Sequence, residues 1–275
     1  MAISIPDTLT TDNSEKYILS IRLCPGGLSF SGYIPSDGGR FFYREVEFDR
    51  SNSYVSSLKD FFFENDFLSW VYKRIHVIYV SSQYTLVPKA FFQEKDRREY
   101  LSFNFSAPEE TCLNNTLKTE NAEVVFGLDK EVYEFCSRSL LNPDFTHHIT
   151  SFLSLWEKRS RMNPSRQMCV FLHDKMMDIA CYSQGSLLFV NSFETDTEDE
   201  ILYYILSAWR GTDMDQVADM LYIAGNPVLR NRIMEALKTY LQHVSVMEIP
   251  SEAYLLGGDI GQVPMDLISL LICEL

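Results

Sequence analysis

The sequence has no surplus of basic residues, no long apolar run and no cluster of cysteines at metal-ligand spacing. Lys and Arg number 24 against 38 Asp and Glu, a formal net charge of −14. The acids are spread along the chain, and a surface of that kind repels phosphate backbones, so no nucleic-acid partner is expected. No apolar stretch approaches the ~20 residues that cross a bilayer, so no membrane span is expected either. The first sixteen residues lack the basic-then-apolar pattern of a secretory signal, and the expected location is the cytoplasm. In that setting the acceptor triplets at Asn104 and Asn114 carry no glycan meaning. Cys24, Cys112, Cys136, Cys169, Cys181 and Cys273 lie far apart and read as reduced, small apolar side chains. Among the five histidines only His147 and His148 are adjacent. Neighbours in a strand face opposite ways, so no metal site is expected.

What is present is an apolar fraction of 46% and an aromatic fraction of 13% over 275 residues, enough for two domains with cores of their own. Residues 168–193 organise the reading. Runs at 168–172, 178–182 and 187–193 suit strands, and Gln184-Gly185 is a tight-turn signal, so the segment reads as an antiparallel meander. Residues 195–200 (TDTEDE) then read as a helix start, with hydroxyl and carboxyl caps and acids at the positive end of the dipole. Ile201, Ile205, Ala208 and Trp209 give that helix one apolar face, and residues 220–224 form a buried strand.

The same order occurs earlier. Strands are expected at 17–23, 28–33 and 41–48, a helix at 54–70 and a buried strand at 75–80. Such repetition of element order is what an internal duplication leaves. Between the copies the pattern predicts a helix over 90–100, a strand at 101–105, a polar surface excursion over 106–121, a strand at 124–126 and a helix at 130–139. A strand at 145–149, a bridging helix at 150–161, a helix at 228–242, a strand at 244–249 and a helix at 264–275 complete the expectation. Two domains follow, residues 1–149 and 150–275.

Three strands, a helix and a strand, occurring twice, resemble a duplicated ribonuclease-H-like fold. That is the α/β layout of the actin, Hsp70 and sugar-kinase superfamily, with two mixed sheets flanked by helices. Residues 173–185 (HDKMMDIACYSQG) resemble the second phosphate hairpin of the cell-division actin homologue and its pilus-assembly and secretion relatives. Residues 221–226 (LYIAGN) resemble the strand and turn that contact adenosine there. The whole chain is similar to a small family of Bacteroidetes proteins with an actin-like ATPase fold.

The resemblance implies an interdomain cleft holding Arg22, Gly26, Gly27, Asp174, Lys175, Asp178, Gly225 and Asn226. It also exposes departures. Residues 20–24 (SIRLC) carry Arg22 where the ATPases place a magnesium-anchoring acid on the first strand. Residues 173–177 (HDKMM) replace a glycine-rich turn, and bulky side chains there keep backbone N–H groups away from a phosphate. The expectation is a degenerate member of the superfamily without cofactor or metal, acting through protein partners as a cytoplasmic binding or scaffold protein. The rival is a nucleotide-dependent ATPase or phosphotransferase with atypical phosphate loops. A ribonuclease-H-type nuclease is set aside, since the first strand offers no carboxylate.

Overall fold

Strands β1 (Ile18–Cys24) and β2 (Gly27–Ile34) are buried along their whole length, the mark of strands covered on both faces. The computed structural model describes residues 3–35, 37–49, 51–257 and 260–274. β3 (Asp37–Glu47) completes an antiparallel meander with them, and β4 (Arg74–Tyr79) returns parallel beside β1 after helix α1 (Tyr54–Glu64). A small antiparallel sheet follows, from β5 (Tyr84–Pro88), β6 (Thr111–Leu117) and β7 (Ala122–Leu128), with α2 (Arg97–Asn104) between its first two strands. Helix α3 (Lys130–Ser139), strand β8 (Asp144–His147) and helix α4 (His148–Ser160) lead into the second meander. This consists of β9 (Gln167–His173), β10 (Met176–Ser183) and β11 (Ser186–Glu194). Then come α5 (Glu198–Gly211), β12 (Met220–Gly225), α6 (Pro227–Leu237), β13 (His243–Val246) and α7 (Met265–Glu274).

The two five-stranded sheets have the same internal order, β3-β2-β1-β4-β8 and β11-β10-β9-β12-β13. The duplicated ribonuclease-H-like layout expected from element order is therefore present in the strand pairing itself. Each sheet is packed on both sides. Leu19, Ile21 and Leu23 of β1 face α1 and α3 through Leu58, Phe61, Phe62 and Val132. Val170 and Ile179 face α5 and α6 through Ile205, Trp209, Ile233 and Leu237. The inner faces share a third core with α4 and α7, where Phe152 stacks on both Trp156 and Phe171. Fully burying such a side chain stabilises the fold by about 1.5–3 kcal/mol.

Helix starts follow local chemistry. Ser53 accepts from Ser56 N, Asp129 from Val132 N, and Asn226 from Val228 N ahead of Pro227 at the first helical position. Thr197 and Glu200 form a complete capping box.

Four expectations are corrected. Helix α1 ends at Glu64 instead of continuing to residue 70, because the Asn65 amide donates to the Phe61 carbonyl and a 3₁₀ turn follows. Residues 101–104 are the end of helix α2 and Phe105 is its cap, with Leu101 buried against Val87 and Val125, and no strand forms there. Residues 86–88, which read in the sequence as the opening of a short connection, are part of a paired strand, and the polar stretch 106–121 contains β6. Its polar side chains are taken up: Asn114 and Thr116 bind the Glu123 carboxylate, and Asn115 binds the Phe145 carbonyl. Residues 257–261 (GGDIG) read in the sequence as a glycine-bounded acid in a loop, and Gly258 and Asp259 of that stretch lie outside the described residues.

Candidate functional site

Alternation along the strands places the chemistry. In β1 the odd positions face the outer helices, which turns Arg22 toward the layer between the sheets. In β9 and β10, Met168, Val170, Leu172, Met177, Ile179 and Cys181 face outward, which turns His173 and Asp178 inward. The β9–β10 connection is a two-residue turn in which Asp174 (φ 44°) and Lys175 (φ 59°) are both left-handed. Aspartate tolerates that region better than most residues. The turn carries Asp174 across to the first sheet.

There the side chains form one continuous polar network. Arg22, only 3% exposed, donates from Nε to Asp266 Oδ2 at 2.7 Å and from Nη2 to Asp174 Oδ2 at 2.6 Å. His173 Nδ1 lies 3.0 Å from that same Asp174 oxygen, and His173 Nε2 lies 2.8 Å from Asp178 Oδ2. His148 Nε2, on the first turn of α4, lies 3.0 Å from Asp178 Oδ2. Ser192 donates a short hydrogen bond to Asp178 Oδ1, and its Oγ stands 3.3 Å from the Tyr84 hydroxyl. His147 and His148 straddle the end of β8 and the start of α4, so their rings approach to 4.5 Å instead of diverging. His147 turns to Ser81, with Nε2 3.1 Å from its carbonyl.

The electrostatics follow from that geometry. Burial disfavours the charged form of each group, and at Arg22, His173, Asp174 and Asp178 the neighbours outweigh it. Asp266 and Asp174 hold the Arg22 guanidinium well above its ordinary range. The Asp178 and Asp174 carboxylates raise His173 to about 9 against its burial. Hydrogen bonds and charge from His173 and Arg22 hold Asp174 well below the carboxylate range, and His148 and His173 do the same for Asp178. His147, buried and beside His148, is pushed well below the imidazole range.

The structure gathers the expected residues unevenly. Gly26, Gly27 and Lys175 line a cavity of about 480 Å³ together with Glu45, Glu47 and Asp174. Arg22, Gly225 and Asn226 line a second, of about 560 Å³, with His173 and Arg230. Asp174 lines both, so the Arg22–Asp174 pair stands where the two cavities adjoin. Asp178 is fully buried and lines neither. Two of the glycines have packing reasons of their own. A Cβ on Gly27 would lie 2.0 Å from the Val46 carbonyl oxygen. One on Gly225 (φ +126°) would lie 2.2 Å from that of Leu172. Met176 is buried against Cys24 and Val80, spanning from one sheet to the other.

Sequence reasoning missed five members of the network: Tyr84, His148, His173, Ser192 and Asp266. Strand alternation signals His173. A single acid in the apolar run of residues 265–272 (MDLISLLI) signals Asp266, which is 0% exposed. Among the described residues, His148, His173 and Asp178 each offer a ligand atom, all within 4.8 Å of one another, and together could hold a metal ion.

The chain is similar, over 98% of its length and 100% of the other's, to a protein of Bacteroides thetaiotaomicron VPI-5482 with an actin-like ATPase fold and unknown function, at 29% identity and a TM-score of 0.85. It is similar in fold to the PilM–PilN type IV pilus biogenesis complex, covering 92% of this chain and 94% of that one, at 11% identity and a TM-score of 0.54. The architecture is thus the actin-like ATPase fold. No curated protein matches the chain in sequence. The family described as "Protein of unknown function (DUF3822)" matches residues 6–244.

Proposed function

We propose, on the premise that this chain belongs to the DUF3822 family and has the actin-like ATPase fold, that it is a non-catalytic cytoplasmic binding or scaffold protein. It comprises two ribonuclease-H-like domains, residues 1–149 and 150–275, and works through protein partners. One observation carries the reading. The inner face of the first strand, where the resemblance places a magnesium-anchoring acid, holds Arg22 bound to Asp174 and Asp266. Phosphoryl transfer depends on a metal anchor and a close backbone cradle. A guanidinium occupied by two carboxylates is neither.

The surroundings agree. The cavity beside Gly26 and Gly27 is lined by Glu45, Glu47, Asp174, Glu194 and Asp196 against the single base Lys175, a potential that repels a polyphosphate. The PilM–PilN structure is a precedent for this fold serving a protein complex. The rival reading, a nucleotide-dependent ATPase or phosphotransferase, rests on the cavity of about 560 Å³ at Gly225 and Asn226, a volume of the size that small ligands occupy.

A thermal-shift titration with ATP, ADP and GTP, with and without magnesium, decides between them. No shift at millimolar nucleotide is the expected result. A specific ligand at a hundredfold excess over its dissociation constant stabilises by about 2.7 kcal/mol. A magnesium-dependent shift of that order, abolished by Asp174→Ala, overturns the non-catalytic reading.

A further inference from the structure

The Asp178 carboxylate is buried at the meeting point of two imidazoles, and both turn the same ring atom toward it. His148 Nε2 and His173 Nε2 stand 3.0 and 2.8 Å from Asp178 Oδ2. We propose that His148, His173 and Asp178 form a binding site for a divalent first-row transition metal, with zinc as the best fit. The site stabilises the junction of α4 with the second sheet and is separate from any nucleotide chemistry.

The donor set is the first argument. Two imidazole nitrogens and one carboxylate oxygen suit zinc, which takes nitrogen and oxygen ligands at about 2.0–2.2 Å and leaves a fourth position for water. Ligand atoms on such a tetrahedron lie about 3.3 Å apart. The contacts at 2.8 and 3.0 Å need to open by only a few tenths of an ångström. Hard cations such as magnesium and calcium prefer all-oxygen sets, which this is not.

The outer contacts are the second argument. Metal-bound imidazoles commonly donate the other ring N–H to a carboxylate, which fixes the tautomer and aims the ligand nitrogen. His173 has that arrangement, with Nδ1 3.0 Å from Asp174 Oδ2. Asp174 is held in turn by Arg22, and Arg22 by Asp266. The ligand carboxylate is supported as well, with Ser192 donating to its second oxygen. His147 is excluded from the set because its Nε2 is engaged at Ser81.

Charge is the third argument. Arg22 is the one permanently charged cation of the network and is engaged by Asp174 and Asp266, which leaves the fully buried Asp178 carboxylate to the two imidazoles and Ser192. A divalent cation at Asp178 places positive charge directly on it, and a buried carboxylate is retained only where it is paired or ligates a metal. Access exists because His173 lines the cavity of about 560 Å³.

The test uses the full chain, purified without chelator and dialysed against micromolar zinc chloride, with metal content read by elemental mass spectrometry. Close to one equivalent of zinc is expected, lost in His148→Gln and in Asp178→Asn. Cobalt(II) titrated into the metal-stripped wild-type protein is expected to give visible absorption bands of a four-coordinate site. That readout stands even where a variant fails to fold. Asp174→Asn, which keeps all three ligands, is expected to weaken zinc binding about 10–100-fold through His173. Stripping the metal is expected to lower the melting temperature of the wild type and leave that of His148→Gln unmoved. Wild-type protein that retains no zinc and gives no cobalt spectrum overturns the proposal. So does one equivalent that survives both ligand substitutions.

Discussion

Arg22 Nη2 stands 2.6 Å from Asp174 Oδ2, and that contact ties the central strand of one sheet to the hairpin turn of the other. The guanidinium holds the buried Asp266 carboxylate and the partly exposed Asp174 carboxylate at once, so its removal orphans both. Arg22→Met is expected to destabilise the protein by about 3–5 kcal/mol, read from the urea midpoint. Adding Asp174→Asn and Asp266→Asn takes away the orphaned charges and should recover more than half of that loss. A single-variant loss below about 1 kcal/mol would show that the bridge is not a structural element.

The glycines divide by their surroundings. A Cβ on Gly26 meets nothing within 4 Å, whereas one on Gly27 or Gly225 meets backbone oxygen at 2.0 or 2.2 Å. Gly26→Ala is expected to be neutral or to stabilise by about 0.4–1 kcal/mol. Gly225→Ala, which adds the strain of a φ of +126°, is expected to cost more than that range. Equal melting temperatures for the two variants would refute the packing account.

The thiols give a prediction about reactivity. Burial pushes Cys24, Cys136 and Cys181 up to about 12 and Cys169 well above its ordinary value, so none presents a thiolate at neutral pH. Cys112 is partly exposed, and Arg98 and Arg97 oppose the burial that raises its thiol. Timed labelling with a chromogenic disulfide and peptide mapping should find Cys112 modified before those four. Labelling of Cys169 at a comparable rate in folded protein would contradict the packing of the second sheet.

The capping box of α5 has a pH signature. Backbone N–H groups of Asp196 and Thr197 hold the Glu200 carboxyl below its ordinary value. The sign follows from a depressed folded-state value. The contribution is complete above the unfolded carboxylate range and is lost as pH falls through the lower folded value. Thr197→Ala is expected to cost about 0.5–2 kcal/mol at pH 7. Glu200→Gln should flatten the acid limb of the stability curve relative to the wild type, and an unchanged limb would sink the assignment.

Much of the fold is legible in the sequence because its signals are local. Alternation, turn dipeptides and caps mark both meanders, and the repeated element order implies the duplication that strand pairing then displays. The small inserted sheet is harder to read because β6 is made of Asn114, Asn115 and Thr116, residues that signal turns. Only distant partners, Glu123 and the Phe145 carbonyl, make them fit a strand. The site splits the same way. Arg22, Asp174 and Asp178 stand out within their own hairpins. His148 and Asp266 join them from helices at distant points of the chain, and no spacing rule links such positions.

The Arg22–Asp266 contact also orders events in time. The two residues are 244 positions apart. At a synthesis rate of about 5–20 residues per second, roughly 12–49 s pass between their emergence. For that interval the first sheet exists as chain but lacks the carboxylate its central strand requires. The first half thus waits on the second, and the sheets reach their final packing only after α7 has been made. A nascent chain arrested before Asp266 would leave Arg22 without that partner.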